Sequence, residues 1–564
     1  MSQASAAGYL ELRDGAATSP LAGDLRRLGL LLAGLTLVRV ILAPLFPMLS
    51  GEAYYWLWSK HLAPGYFDHP PMVGVMSAIF FGWVEASELA ARSGPIILAV
   101  LSSLIVYRLA RDLFPSGPTA WRGAALFSVT PIFFANGLLT QPDNSLVLFM
   151  TLTWFAFWRG CGGAAPDPAD ARRPERLGWW ALAGVAAGCA LLSKFMAWVL
   201  LPPLWAFLAV SRPHRHLLRS PGPWIAAGLA LLVLSPNLIW NAQHEWINYA
   251  FQWRRSDLPE AEFEAKNIPL YLFGPLLTLS PLLYFALLRG VVRGWSLWRR
   301  EHDARWLFLL AAGVPLPLFL GLLSVMVTIS LHWPAAGYIP LILLAVGLIH
   351  EQGMFGARYV RWLTRLCVGT TLFAVALALT VLALPTSVPW EDLNEDLAEI
   401  KAELLGWEAI GGRVRAERQA MEDDSGNRTV IMADNWHLAG PLAFYSAAYG
   451  DVFAVVDEDA HNFEIWRQEQ GGLKGADAVF VIKKSKPNYK HSKLEKKYDK
   501  YHRFLDPLFE DVDAVSSVLV YADDGSTAEY YGVDVSRPRL REFLIFRCYG
   551  FKGRLARADD RDDD

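Results

Sequence analysis

The chain is short of charge and of cysteine, and it carries no soluble-nucleotide signature. Only 19% of its 564 residues are charged, against about a quarter in an ordinary soluble domain, which excludes a large water-facing surface. Its four cysteines, Cys161, Cys189, Cys367 and Cys548, lack metal-ligand spacing, which argues against a disulfide framework or a structural zinc site. No Walker loop or dinucleotide fingerprint is present, so a soluble nucleotide cofactor is not expected. No internal repeat, heptad array or low-complexity tract appears. The first 25 residues are polar and lack an apolar core followed by a cleavage signal, so the first hydrophobic segment reads as an uncleaved anchor. The net charge of -3 says little about partners, because its distribution matters more than its sum.

What the chain has in quantity is apolar length. Hydrophobic residues make up 53%, with 23 Trp and a mean hydropathy of +0.25. Apolar runs that suit a hydrocarbon layer of about 30 Å fall near 28-48, 95-110, 122-139, 145-158, 178-193, 195-211, 223-241, 268-288, 306-330, 335-349 and 363-384. Eleven spans is the working count, within a range of about 11 to 13 for the fold. Alternate loops collect Arg26 and Arg27, Arg108 and Arg111, Arg159 to Arg176, Arg212 to Arg219, Arg289 to Arg305 and Arg358 to Arg365. The intervening loops hold only Lys60, Arg92, Lys194, Arg254, Arg255 and Lys266. The positive-inside rule puts the first set in the cytoplasm and the second outside. Within the spans, Arg39 must find a partner or a wet cavity, and an internal ion pair is the expectation.

The expected architecture is an all-α polytopic membrane domain followed by a smaller soluble α/β domain. Residues 1-27 form a cytoplasmic segment and 28-385 the membrane domain, with a long outer loop at 50-94. In that loop Trp56, Leu57, Ile79, Phe80, Phe81 and Trp83 suggest short helices along the interface. After Pro385 charge becomes dense (Glu391, Asp392, Glu395, Asp396), and β-like runs such as 429-432 and 478-482 appear, so 386-557 reads as the soluble domain. Residues 558-564 read as a disordered acidic tail.

The outer face collects the unusual residues. The first outer loop carries Glu52, Tyr54, Tyr55, Asp68 and His69; the turn after the third span carries Asp143. Lys194 ends the fifth span, Arg254 and Arg255 follow the seventh, and His332 closes the ninth. Acidic groups beside a bilayer are costly to desolvate and mark function. Singly, each has a plainer reading: Asp143 as a turn former, Lys194 as a snorkelling anchor. Together they suit transfer of a group from a phosphate-linked donor. Lys194, Arg254 and Arg255 would clamp a lipid phosphate as leaving group. Glu52, Asp68 and Asp143 would take a proton from the acceptor or hold a divalent cation, and Tyr54, Tyr55, His69 and His332 would shape the site. An outer-facing enzyme has no access to cytoplasmic nucleotide sugars, so a lipid-linked donor fits.

Glu52-Ala53-Tyr54-Tyr55-Trp56 with Tyr66-Phe67-Asp68-His69-Pro70-Pro71 resembles the first-loop signature of bacterial membrane glycosyltransferases of the GT-C superfamily. These are relatives of protein O-mannosyltransferases and of the aminoarabinose transferase that modifies lipid A. Pro142-Asp143, Ser193-Lys194, Pro236 to Asn241 and Trp333-Pro334-Ala335 are similar to later blocks in the same order, and the resemblance covers about 28-350. It implies a polyprenyl-phosphate-linked sugar donor, an inverting transfer, an envelope glycolipid, glycan or protein acceptor, and a multi-pass inner-membrane protein whose site and C-terminal domain face the periplasm. Membrane lipid is a partner and nucleic acid is not. The pattern departs at Gly51, where the family usually has Asp as its candidate base; Glu52, Asp68 or Asp143 would take over, or an anionic acceptor would need little deprotonation. The rival readings are a transporter or flippase for lipid-linked glycans, against which the polar residues gather at one face rather than the midplane, and a catalytically silent relative.

Overall fold

The computed structural model describes residues 20-80, 84-115, 117-164, 174-255, 266-383, 404-484, 501-521, 527-529 and 539-556. Phe81, Trp83, Glu391, Asp392, Glu395, Asp396 and the tail 558-564 lie outside the described residues, as does the side chain of Arg255.

The N-terminal part is helical. Helices α1 (Pro20–Leu42), α2 (Ser50–Leu57), α3 (Met72–Phe80), α4 (Glu88–Leu113), α5 (Gly117–Val129), α6 (Pro131–Asn136) and α7 (Pro142–Cys161) come first. They are followed by α8 (Pro174–Leu191), α9 (Ala197–Leu200), α10 (Pro202–Val210), α11 (Pro221–Gln243) and α12 (Ile247–Arg255). Next come α13 (Asn267–Phe273), α14 (Pro275–Thr278), α15 (Pro281–Glu301), α16 (Ala304–Gly313), α17 (Pro315–Leu323), α18 (Ala335–Glu351) and α19 (Ala357–Ala383). Each of the eleven apolar runs is mostly helical among its described residues. Among the described residues five helical stretches are long and apolar enough to cross a membrane, or six counting one bent pair; Arg176–Leu191, Ala197–Val210 and Ala335–Glu351 are shorter apolar helices.

Proline accounts for much of the difference between runs and helices. Pro131 opens a new helix after the extended Thr130, so the run at 122-139 is broken, whereas Pro202 and Pro315 follow the helical Leu201 and Val314, so Ala197–Val210 and Ala304–Leu323 continue through them. The run at 268-288 is sharply bent: Asn267–Thr278 meets Pro281–Glu301 at 113°. At that corner Ser280 is buried with φ 77, and its hydroxyl lies 3.1 Å from Cys367 Sγ. Arg39 is satisfied without the expected carboxylate, donating to the carbonyls of Phe133 and Phe134 at 3.3 Å, with its guanidinium 4.8 Å from the Phe134 ring.

The second part is an α/β layer. Helix α20 (Trp407–Ser425) starts after Gly406 and stops at Gly426, both with positive φ, and leads into β1 (Thr429–Ala433). Then come α21 (Trp436–Ser446), β2 (Val452–Ala454), α22 (Asn462–Glu469), β3 (Asp477–Lys484), β4 (Asp511–Tyr521), β5 (Thr527–Glu529) and β6 (Arg539–Tyr549). The sheet order is β2-β1-β3-β6-β4-β5, with β1 parallel to β2 and β3, and β6 antiparallel to β3 and β4. The β-like runs at 429-432 and 478-482 are β1 and β3. All five residues of β1 are buried, as expected of a parallel strand covered on both faces.

The first outer loop is packed into this layer. Tyr54, Leu57, Trp58, Tyr66 and Val73 share one buried cluster with β1, β3 and α21, while Met48, Ala53, Trp56 and Ala91 pack on Phe444. Trp56 and Leu57, expected along a lipid interface, are each only 1% exposed because the soluble layer covers them. Ile79 stays exposed. Polar contacts pin the junction: Tyr445 accepts from the Met48 N–H at 2.9 Å and donates to Glu88 at 2.8 Å, and His61 Nε2 lies 2.8 Å from the Tyr449 carbonyl.

Candidate active site

Three groups of polar side chains meet at the loop end of the helices. The first is built on Glu52, which sits in the first turn of α2, where an acidic side chain is favoured by the orphan N–H groups. Its Oε1 accepts from Arg92 Nε at 3.0 Å and the Thr140 N–H at 2.9 Å; its Oε2 accepts from Arg92 Nη2 at 2.6 Å and the Leu49 N–H at 3.3 Å. A carboxylate offers about four lone-pair sites, and four donors occupy them. Arg92 also donates to the carbonyls of Ala43, Phe46 and Pro47. The pair therefore joins the end of α1, α2, the second turn of α4 and the turn before α7.

That last turn leads to the second group. Pro142 opens α7, and Asn144 Oδ1 accepts from the Gln141 N–H at 2.8 Å, a reciprocal cap that sets Asp143 in the first helical turn. Lys194, just past the end of α8, donates to Asp143 Oδ2 at 2.7 Å, with both side chains buried. His332 Nε2 is 3.9 Å from the same oxygen and is 44% exposed, so the pair opens toward solvent on that side. The Trp333 ring lies 6.0 Å from the ammonium. One of the three donors of Lys194 goes to Asp143.

The third group surrounds Asp68, which is 2% exposed. Tyr54 donates to Asp68 Oδ1 at 3.2 Å and accepts from the Asn462 N–H at 3.3 Å. Burial, and then the neighbouring Asp68 charge, raise the Tyr54 hydroxyl well above its ordinary pKa, so it remains a neutral donor. Tyr55 stands edge-on to Trp58 at 5.2 Å, and His69 lies 5.8 Å from Tyr55. From α12, Asn248 donates to the Phe67 carbonyl at 3.3 Å and Gln252 to the Asp68 carbonyl at 2.5 Å.

The groups are contiguous along the chain. Thr140, bonded to Glu52, is three residues from Asp143. The Met72 N–H, three residues beyond His69, donates to the Leu192 carbonyl at 3.0 Å, two residues before Lys194. Phe195 stands edge-on to Tyr249 of α12 at 5.0 Å. Glu52, Tyr54, Tyr55, Asp68, His69, Asp143, Lys194 and His332 thus sit within one connected region, whereas Arg254 is exposed on α12. Among the described residues no three His, Cys, Asp or Glu side chains converge as metal ligands. The cysteines are unpaired as disulfides.

Sequence reading missed Arg92 and Asn462 as parts of this region. Arg92 had a visible signal, an arginine on the outer face just ahead of an apolar run. Asn462 had none, being a polar residue in a polar stretch nearly four hundred positions from its partners.

Residues 68–240 match the dolichyl-phosphate-mannose-protein mannosyltransferase family. The chain is 24% identical over 445 residues to lipid A galacturonosyltransferase RgtD of Rhizobium johnstonii, covering 74% of this chain and 82% of that protein. It is 25% identical over 383 residues to the undecaprenyl phosphate-alpha-4-amino-4-deoxy-L-arabinose arabinosyl transferase of Erwinia tasmaniensis, covering 63% of this chain and 64% of that one. The crystal structure of ArnT from Cupriavidus metallidurans bound to undecaprenyl phosphate shares the fold, with a TM-score of 0.58 at 14% identity over 92% of this chain and 98% of that one. In its first-loop motif, its sequence relatives and its fold the chain is similar to membrane glycosyltransferases of the GT-C superfamily.

Proposed function

We propose that the protein moves a sugar from a polyprenyl phosphate to lipid A or the lipopolysaccharide core, at the periplasmic face of the inner membrane. The observation that carries this reading is the buried Lys194–Asp143 pair, with the Asp68 loop tied to the same helix end through the Met72–Leu192 backbone bond. A lipid phosphate enters such a site from the membrane side, and the α/β layer covers the first loop. The names of the relatives supply the chemistry: a lipid A galacturonosyltransferase and an undecaprenyl-phosphate-dependent arabinosyl transferase.

In the proposed reaction an acceptor oxygen attacks the anomeric carbon, the bond from that carbon to the phosphate oxygen breaks, and polyprenyl phosphate leaves with the electron pair. The configuration inverts because displacement is single. Lys194 offsets charge on the leaving phosphate as it develops, with Asp143 holding the ammonium in position. Arg254 and Arg255 of α12 are assigned to the outer part of the donor phosphate. Asp68, held by the Tyr54 hydroxyl, takes the proton when the acceptor is a hydroxyl. Glu52, its lone pairs already occupied by Arg92, Thr140 and Leu49, is assigned the frame of the site rather than the proton. That assignment also accounts for Gly51, since the base then lies further along the loop.

Mass spectrometry of envelope lipids from cells with and without the gene tests the reading. A lipid A or core species heavier by one sugar should vanish on deletion and return with the wild-type gene. An unchanged profile would refute it.

A further inference from the structure

We propose that Asn462, a residue of the soluble domain, positions Asp68 of the membrane domain for sugar transfer. The inference rests on the reading above that Asp68 acts in the site. Asn462 holds the loop in two ways. Its side-chain Oδ1 accepts from the Phe67 N–H at 3.0 Å, fixing the backbone immediately before Asp68. Its own N–H donates at 3.3 Å to the Tyr54 hydroxyl, which in turn donates to Asp68 Oδ1 at 3.2 Å, fixing the direction of the carboxylate. One residue therefore references both the main chain and the side chain of the acid. It is 2% exposed, and Tyr54 is fully buried, so water does not compete for these bonds.

The backbone at this point is unusual. His461, directly before Asn462, has φ 49 and ψ -132, a region that side-chain-bearing residues rarely adopt. Such strain persists where the surroundings over-determine it. Here the His461 ring is stacked between Phe67 at 4.8 Å and Trp436 at 4.9 Å, so the strained turn is pinned by the loop on one side and the soluble domain on the other. The opposite edge of the loop is tied by Asn248 and Gln252 of α12. Asp68 is thus strung between a membrane-domain helix and the soluble domain, and the α/β layer serves as part of the catalytic frame.

The test uses the full-length protein reconstituted in lipid, with kcat, donor KM and the pH profile of kcat as readouts. Asn462→Ala should lower kcat by about ten- to a hundredfold, the scale of a misplaced group, while donor KM stays within about twofold. It should also shift the acid limb of the pH profile, which a merely structural role would not do. Asn462→Asp keeps an acceptor for the Phe67 N–H and should recover most of the rate. If Asn462→Ala unfolds the protein, Tyr54→Phe breaks the link to Asp68 while leaving the Phe67 contact, and should lower kcat and shift the same limb. Wild-type kcat and pH profile in Asn462→Ala, or in Tyr54→Phe where the alanine variant unfolds, overturns the inference if Asp68→Asn is inactive. Wild-type activity in Asp68→Asn instead overturns the role of Asp68 itself.

Discussion

Arg92 grips Glu52 through two parallel hydrogen bonds, at 3.0 and 2.6 Å, with the two side chains 1% and 4% exposed. The guanidinium also holds three carbonyls between Ala43 and Pro47, so four separate stretches of chain hang on this contact.

Removing either partner leaves a buried charge without compensation, at about 3 to 5 kcal/mol. Arg92→Ala and Glu52→Gln should each lower the unfolding midpoint in detergent markedly, and the double mutant should lose less than the sum of the two. Because Glu52 is assigned no proton, the pH profile of the folded Glu52→Gln fraction should match wild type. A normal melting curve with a hundredfold rate loss would make Glu52 the base instead.

Lys194 and Asp143 are coupled in the same physical way, and the proposed reaction assigns them to the donor. Loss of a charge-assisted contact costs about 1.5 to 3 kcal/mol, so Lys194→Ala should weaken binding of a polyprenyl-phosphate donor by roughly ten- to a hundredfold. Arg254→Ala, at an exposed position, should cost less and should depend on ionic strength. Equal affinities for wild type and Lys194→Ala, measured by donor titration, would remove Lys194 from the phosphate site.

Buried tyrosines set the alkaline limit of stability. Burial raises the hydroxyls of Tyr54, Tyr66 and Tyr445 above the ordinary value of 10.0. Each binds its proton more tightly folded than unfolded, so this stabilisation is complete below pH 10 and is lost as pH rises past it. Unfolding midpoints should fall above pH 10, and the fall should be shallower in Tyr54→Phe. A pH-independent midpoint through that range would contradict the burial of these groups.

The orientation proposed for the site follows from the arginine asymmetry of the loops. A reporter fused after Ala556 that works only when exported should be active, and one that works only in the cytoplasm should be dark. The reverse result would put Asp68, Asp143 and Lys194 on the wrong side for a lipid-linked donor.

Much of this was legible because membrane patterning is coarse and strong. Apolar runs of span length appear in composition alone, and β1 and β3 show as short β-branched runs between polar stretches. What was lost depends on contacts distant in sequence. Trp56 and Leu57 read as interfacial because amphipathic aromatics suit both a lipid surface and a covered cleft; only α21 lying over them decides. The break at Ser280 escaped notice because hydropathy ignores backbone direction. Glu52 looked like the first candidate base until Arg92, forty residues away, filled its lone pairs. Phe67 and Asn462 meet across 395 positions, a pairing that no local pattern encodes.

The most direct measurement of the central claim is sugar transfer in proteoliposomes holding the purified full-length protein, an undecaprenyl-phosphate-linked sugar and lipid A, read by mass spectrometry. Wild type should add one sugar residue to lipid A and release undecaprenyl phosphate in equal amount. Asp68→Asn, folded to the same extent, should be slower by about 10²- to 10⁴-fold, the range a positioned general base contributes. Movement of the donor across the bilayer with no transfer, or transfer by Asp68→Asn at the wild-type rate onto a hydroxyl, would contradict the account.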